Sequence, residues 1–91
     1  MLYYLIEWVH AGEDELWRAY LEMDERGCLR RRVDAYRIGL YYPFKLDTPP
    51  MDPRELAGSD GSVSPLRKVH FDDIWEQALQ SGSFMGMMGS F

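Results

Sequence analysis

The chain is poor in the residues that build covalent and metal-bound sites. Of its 91 residues, one is cysteine (Cys28) and two are histidine. A lone thiol forms no internal disulfide, and a small secreted domain ordinarily carries several bridges, so a reducing compartment, the cytoplasm, is expected. Paired cysteines, histidines at ligand spacing and a calcium-type acidic loop are all missing, so no metal or cofactor is implied. His10 and His70 stand apart in sequence. Hydrogen bonding to a nearby carboxylate is the plain reading of His10, which lies close to Glu7, Glu13 and Asp14. Gly58-Ser-Asp-Gly61 lacks the lysine and the strand-to-helix setting of a phosphate loop. Nothing sets Cys28 or a serine beside a histidine base, and Cys28 reads as a small apolar filler. No pair among the carboxylates stands out for acid–base work. Long apolar runs are missing too, which excludes a membrane-spanning helix. The opening LYYLIEWVH lacks the basic start and small-residue cleavage site of a signal peptide, so a soluble, unprocessed chain is expected.

Bases are the minority charge. Fifteen acids against ten bases give a net charge of −5, which argues against generic nucleic-acid binding and towards a basic protein partner. What the chain does have is apolar and aromatic material, 46% and 14% of residues, enough for a folded domain and too much for disorder. At this length there is one core and no material for a second, so any function shares residues with the fold.

Residues 2–9 read as a strand, with Leu2, Tyr4, Ile6 and Trp8 on one face and Tyr3, Leu5, Glu7 and Val9 on the other. Both faces are mostly apolar, which places it inside a sheet. Residues 15–23 fit two periods: Leu16, Ala19, Tyr20 and Met23 make a helical stripe, and Trp17, Ala19, Leu21 and Met23 alternate as in a strand. The glycine-ended turn at residues 24–27 leads directly into another alternating segment, and a hairpin selects strand. In residues 28–38 the odd positions Leu29, Arg31, Val33, Ala35 and Arg37 share a face opposite Cys28, Arg30, Arg32, Asp34, Tyr36 and Ile38. Alternation therefore splits the three consecutive arginines. After Gly39, residues 40–44 make a last strand that Pro43 confines to an edge.

Asp52, Pro53 and Glu55 carry helix-start chemistry for a helix of about one turn, ended by Gly58, and the glycine- and serine-rich residues 58–64 read as a flexible loop. Phe71, Ile74, Trp75, Ala78 and Leu79 form a full helical stripe, with Asp72 and Asp73 in its first turn. The expected architecture is an α+β domain over residues 1–80: an antiparallel meander of about four strands with the C-terminal helix packed on one face. Residues 81–91 are uncharged and mix glycine and serine with Phe84, Met85, Met87, Met88 and Phe91. They read as a flexible tail, either a frayed terminus or an adaptable docking segment.

Tyr4-Leu5-Ile6-Glu7-Trp8-Val9-His10, Arg31-Arg32-Val33-Asp34-Ala35-Tyr36-Arg37-Ile38-Gly39 and Phe71-Asp72-Asp73-Ile74-Trp75 occur in that order. In this the chain resembles a family of small bacterial proteins known as a domain of unknown function, whose members read roughly Y-L-x-V-x-W-x-H, R-K-V-E-x-F-R-D-G and F-E-x-x-W. The resemblance covers about residues 3–79. It implies a bacterial, cytoplasmic protein and a strand at residues 15–23, and supplies no activity. Ile38 replaces the usual Asp before the glycine, and the loop after Pro50 departs from the pattern.

Arg30 and Arg32 share a face with Tyr36, and Tyr41 and Tyr42 lie on the segment that pairs beside them. These five residues are the candidate partner-binding surface. The bland alternative is a solvated face whose arginines pair with Glu15, Glu22 or Asp34 across strands. The expected function is noncatalytic protein binding, in the manner of an immunity or antitoxin-like protein that occupies the basic cleft of a toxin. One alternative is a small enzyme or ligand-binding domain with a helix–sheet pocket at His10. Another is an RNA-binding sheet surface. Homodimerisation through a sheet edge is a further expectation. With Trp75 as the helix anchor, Trp75→Ala should cost about 3–5 kcal/mol, and an unchanged thermal melt would refute that placement.

Overall fold

The computed structural model describes residues 1–89, with side chains as far as Ser81. Strands β1 (Leu2–Glu7), β2 (Leu16–Met23), β3 (Leu29–Tyr36) and β4 (Tyr41–Lys45) form the expected antiparallel meander. Helix α1 (Pro53–Ala57), strand β5 (Ser62–Pro65) and helix α2 (Lys68–Gly89) follow. The sheet has five strands, in the order β4-β3-β2-β1-β5, each pair antiparallel. The fifth corrects the reading of residues 58–64 as a loop. Ser62–Pro65 lies along β1 with Ile6 opposite Val63, and the Leu66 amide donates to Tyr3 O at 2.9 Å. Strand pairing uses backbone groups, so a serine-rich segment can join a sheet when one side chain, here Val63, reaches a core. Gly61 makes this approach feasible: a Cβ there would lie 2.6 Å from Ala57 O and 2.7 Å from Trp8 Nε1, which themselves form a 2.8 Å hydrogen bond.

The apolar residues divide into two cores. On one face, α2 lays Phe71, Ile74, Trp75 and Ala78 over Tyr3, Tyr20, Val33 and Ala35. This is the expected stripe, and Phe71 and Ala78 have no solvent exposure. On the other face Ile6, Ala19, Leu21, Met23, Leu29 and Ala57 are buried, with Tyr4, Trp8, Leu46, Met51 and Val63 around them. Because β2 is covered on both faces, Tyr20, Leu21 and Met23 are all buried, which explains why the segment matched helical and strand periods alike. Asp52 caps α1 as expected, accepting from the Arg54 amide at 2.9 Å, and Gly58 ends the helix at φ +70°.

Two register shifts interrupt the β2–β3 pairing, one between Leu16 and Arg18 and one between Glu22 and Met23, and the second moves β3 residues off the expected alternation. Glu22 lies opposite Arg31 but Met23 lies opposite Leu29, leaving Arg30 as the extra residue of a β-bulge. The bulge turns Leu29 away from the Val33 face, where alternation puts it, and into the second core with Met23. The flexible-tail expectation for residues 81–91 concerns residues whose side chains, after Ser81, lie outside those described.

A charged network crosses from the sheet to α2. The Arg31 guanidinium donates to both Glu22 carboxylate oxygens, at 2.8 and 2.7 Å, and to Asp72 at 3.4 Å. It also lies 5.0 Å from the Phe71 ring centroid and 4.9 Å from that of Trp75. Tyr3 donates its hydroxyl to Glu22 at 2.9 Å, and Lys68 meets Asp72 at 2.6 Å. The Arg31 hydrogen bonds hold the Glu22 carboxyl below its ordinary range, against the opposing effect of burial, with Tyr3 assisting. Burial, then the bond to Glu22, raises the Tyr3 phenol. A depressed carboxyl contributes stability that is complete above its unfolded pKa and lost as pH falls through the folded value; a raised phenol contributes stability lost on the alkaline side. Stability should therefore fall below about pH 4.5 and above about pH 10. Glu22→Gln should lower stability at neutral pH and flatten the acid limb in denaturant titrations. An acid limb unchanged by that substitution would contradict the assignment.

Candidate functional site

The three consecutive arginines go three ways, and each meets its own carboxylate. Arg30, on the bulge, pairs with Asp47 at 3.1 Å; Arg31 is held by Glu22 and Asp72; Arg32 pairs with Asp34, two residues along the same strand. With Arg18–Glu7, Arg26–Asp24 and Lys68–Asp72, six of the ten bases and six of the fifteen acids are in ion pairs among the described residues. That leaves nine carboxylates against four cations, Arg37, Lys45, Arg54 and Arg67, so the whole negative excess is carried by unpaired groups. Each β3 arginine faces a carboxylate that a phosphate would have to displace.

Cross-strand register decides which predicted residues meet. Asp34 lies opposite Tyr42 and Arg32 opposite Phe44, while Ala35 lies opposite Tyr41. Arg32, Tyr36 and Tyr42 share the face turned away from α2, where the Tyr36 and Tyr42 rings meet edge-on at 5.7 Å. Arg30 sits on the bulge at the start of the same strand. Tyr41 is on the opposite face, packed against the core beneath α2, and does not join the others. Phe44 and Leu46 complete the group, lining with Arg32 and Asp34 a shallow depression of about 230 Å³.

This half of the face is open for a topological reason. Helix α1 contacts only β1 and β5, so the layer it forms stops short of β3 and β4. Along β4 and the residue before it the alternate side chains Leu40, Tyr42 and Phe44 are 39%, 41% and 43% exposed, and Ile38 in the preceding turn is also exposed. Four of the eight large hydrophobic side chains exposed among the described residues thus lie on one hairpin. Sequence reasoning included Tyr42 and passed over Leu40 and Phe44; their alternation about Pro43 was the available signal.

Neither sheet edge is well made for adding a strand. The bonds Tyr36 N to Leu40 O and Leu46 N to Arg30 O fix the alternation in the β3–β4 ladder. Pro43, opposite Val33, falls at a position whose amide would point outward. Pro65, opposite Tyr4 and next to the Leu66–Tyr3 bond, occupies the equivalent place on β5. Proline costs the ladder nothing there and removes a donor from each free edge.

His10 lines an open cleft of about 240 Å³ with Trp8, Ala11, Glu15, Leu16 and Asp60. A second hollow, of about 390 Å³, runs between α1 and β5 past Tyr4, Asp52 and Arg54. Among the described residues, no three His, Cys, Asp or Glu side chains are grouped to hold a metal ion, and no helix is long and apolar enough to cross a membrane. Cys28 is buried and unpaired. Comparison with known proteins finds no matching family model, no matching curated protein and no matching solved structure.

Restoring the edge amides should expose what the prolines suppress. At equal concentration, Pro43→Thr combined with Pro65→Thr should self-associate more than the native chain in size-exclusion light scattering. Identical profiles would contradict the role assigned to these prolines.

Proposed function

We propose that the protein is a noncatalytic protein-binding module that docks through the uncovered half of the β3–β4 face. The observation that carries this reading is the row Leu40, Tyr42 and Phe44, three large apolar side chains 39%, 41% and 43% exposed at alternate positions on one hairpin. Aromatic residues set in a rigid frame are the side chains that dominate binding energy at protein interfaces. The charges within the patch, Arg32 and Asp34, satisfy each other, so a covering partner leaves neither without a counter-ion. Over the described residues the groups outside ion pairs are mostly acidic, nine carboxylates against four cations, which suits a basic partner and rapid association.

An immunity or antitoxin-like inhibitor of a basic toxin in the bacterial cytoplasm fits these features. The bacterial assignment rests on the motif resemblance, and the compartment on the single cysteine. The motif segments lie on β1, on β3 with its following turn, and on α2.

The test pairs the native chain with Leu40→Ser/Tyr42→Ser/Phe44→Ser. These positions are partly exposed, so the triple variant should melt close to the native protein. Native protein immobilised as bait should retain a specific basic protein from cells of its source, and the variant should lose it. Equal retention by both, or none by the native chain, would overturn the proposal.

A further inference from the structure

The docking face continues into the end of the sheet, where one arginine ties two connections together. Arg37 follows β3 and is itself exposed. It donates from Nε to Ala11 O at 2.9 Å and from Nη2 to Val9 O at 2.6 Å. Its guanidinium lies 4.6 Å from the Trp17 ring centroid, and that of Arg18 lies 3.9 Å from the same ring. The β1–β2 connection is thereby fastened to the β3–β4 hairpin. That connection carries Glu13, Asp14 and Glu15, and Glu15 shares the His10 cleft with Asp60. None of these four carboxylates is in an ion pair, and Val9 and Ile38 beside the tie are 60% and 59% exposed.

We infer that the partner of the β3–β4 face presents basic side chains around an apolar centre, and that Arg37 is a positioning residue holding the acidic loop beside the apolar row. This rests on the docking face proposed above. Charge complementarity selects the occupant: four of the nine unpaired carboxylates belong to this end, and its one unpaired cation, Arg37, is spent on backbone carbonyls. The other three free cations lie elsewhere, Lys45 at the far end of β4, Arg54 on α1 and Arg67 just before α2. A second copy of the chain fits poorly, because it would set the same carboxylates against one another. A basic surface gains attraction at the acidic loop and apolar burial along Ile38, Leu40, Tyr42 and Phe44.

The test is an amide NMR titration of the full chain with two synthetic amphipathic peptides, one of leucine and lysine, the other of leucine and glutamate. The lysine peptide should shift residues 9–15, 38–44 and Asp60, and bind at least about tenfold more tightly than the glutamate peptide at low salt. Arg37→Ala should lose most of the salt-dependent part of that affinity while keeping its high-salt value; Glu13→Gln/Asp14→Asn, at exposed loop positions, should do the same without touching the tie. If both peptides shift the apolar row equally, the cationic partner is overturned and the docking face stands. Should neither peptide shift the row, the docking face itself falls. Arg37→Ala that folds and binds like the native chain would remove its positioning role.

Discussion

Arg31 is the point at which the two sides of the main core are fastened together. Its guanidinium, on β3, grips Glu22 of β2 with two hydrogen bonds, reaches Asp72 of α2 and lies against Phe71 and Trp75 of the same helix. Tyr3 of β1 completes the set by donating to Glu22. A carboxylate with only 8% of its side chain exposed is tolerable because each oxygen is engaged, and among the described residues no buried side-chain nitrogen or oxygen lacks a partner. The network gives α2 a fixed rotation and position on the sheet, which apolar burial alone specifies less strictly.

The division of labour between the two faces follows from this. α2 seals one face, with apolar residues supplying the area and Arg31 the register. On the other face α1 has five residues and covers only the β1 and β5 side. A short helix cannot roof a five-stranded sheet, so the β3–β4 half remains uncovered and its aromatic side chains stay half-exposed. The chain also blunts both edges of the sheet, placing Pro43 on β4 and Pro65 on β5 where an outward amide would otherwise stand. It also keeps the surface electrically quiet at its centre through Arg32 and Asp34. The docking reading depends on this combination of an open apolar face, closed edges and unpaired acids nearby.

Much of the fold was legible because its signals are local. The alternation in residues 2–9 and 28–38, the glycine at residue 27, Asp52 with Pro53, and the stripe from Phe71 to Ala78 each announce one element. What remained hidden depends on partners distant in sequence. β5 has too few apolar side chains to declare itself and exists because β1 needs a neighbour on its free side. The bulge at Arg30 shifts Leu29 to the other core, and alternation has no means of counting an extra residue. The candidate surface was half legible for the same reason: Arg32, Tyr36 and Tyr42 fall together by parity, Tyr41 falls on the opposite face by the same rule, and the openness of the face depends on how far α1 extends. For the arginine triplet, Glu22 and Asp34 were among the partners the sequence offered, whereas Asp47 and Asp72 are brought near only by the folded chain.

The central claim is that Arg31 belongs to the fold, with Glu22 as its partner, leaving recognition to the opposite face. A double-mutant cycle on Glu22→Gln and Arg31→Met, read by denaturant unfolding at pH 7, tests it most directly. The structure predicts a coupling energy of about 2 kcal/mol or more, with the double variant more stable than the sum of the single losses implies. Additivity within about 0.3 kcal/mol would contradict it.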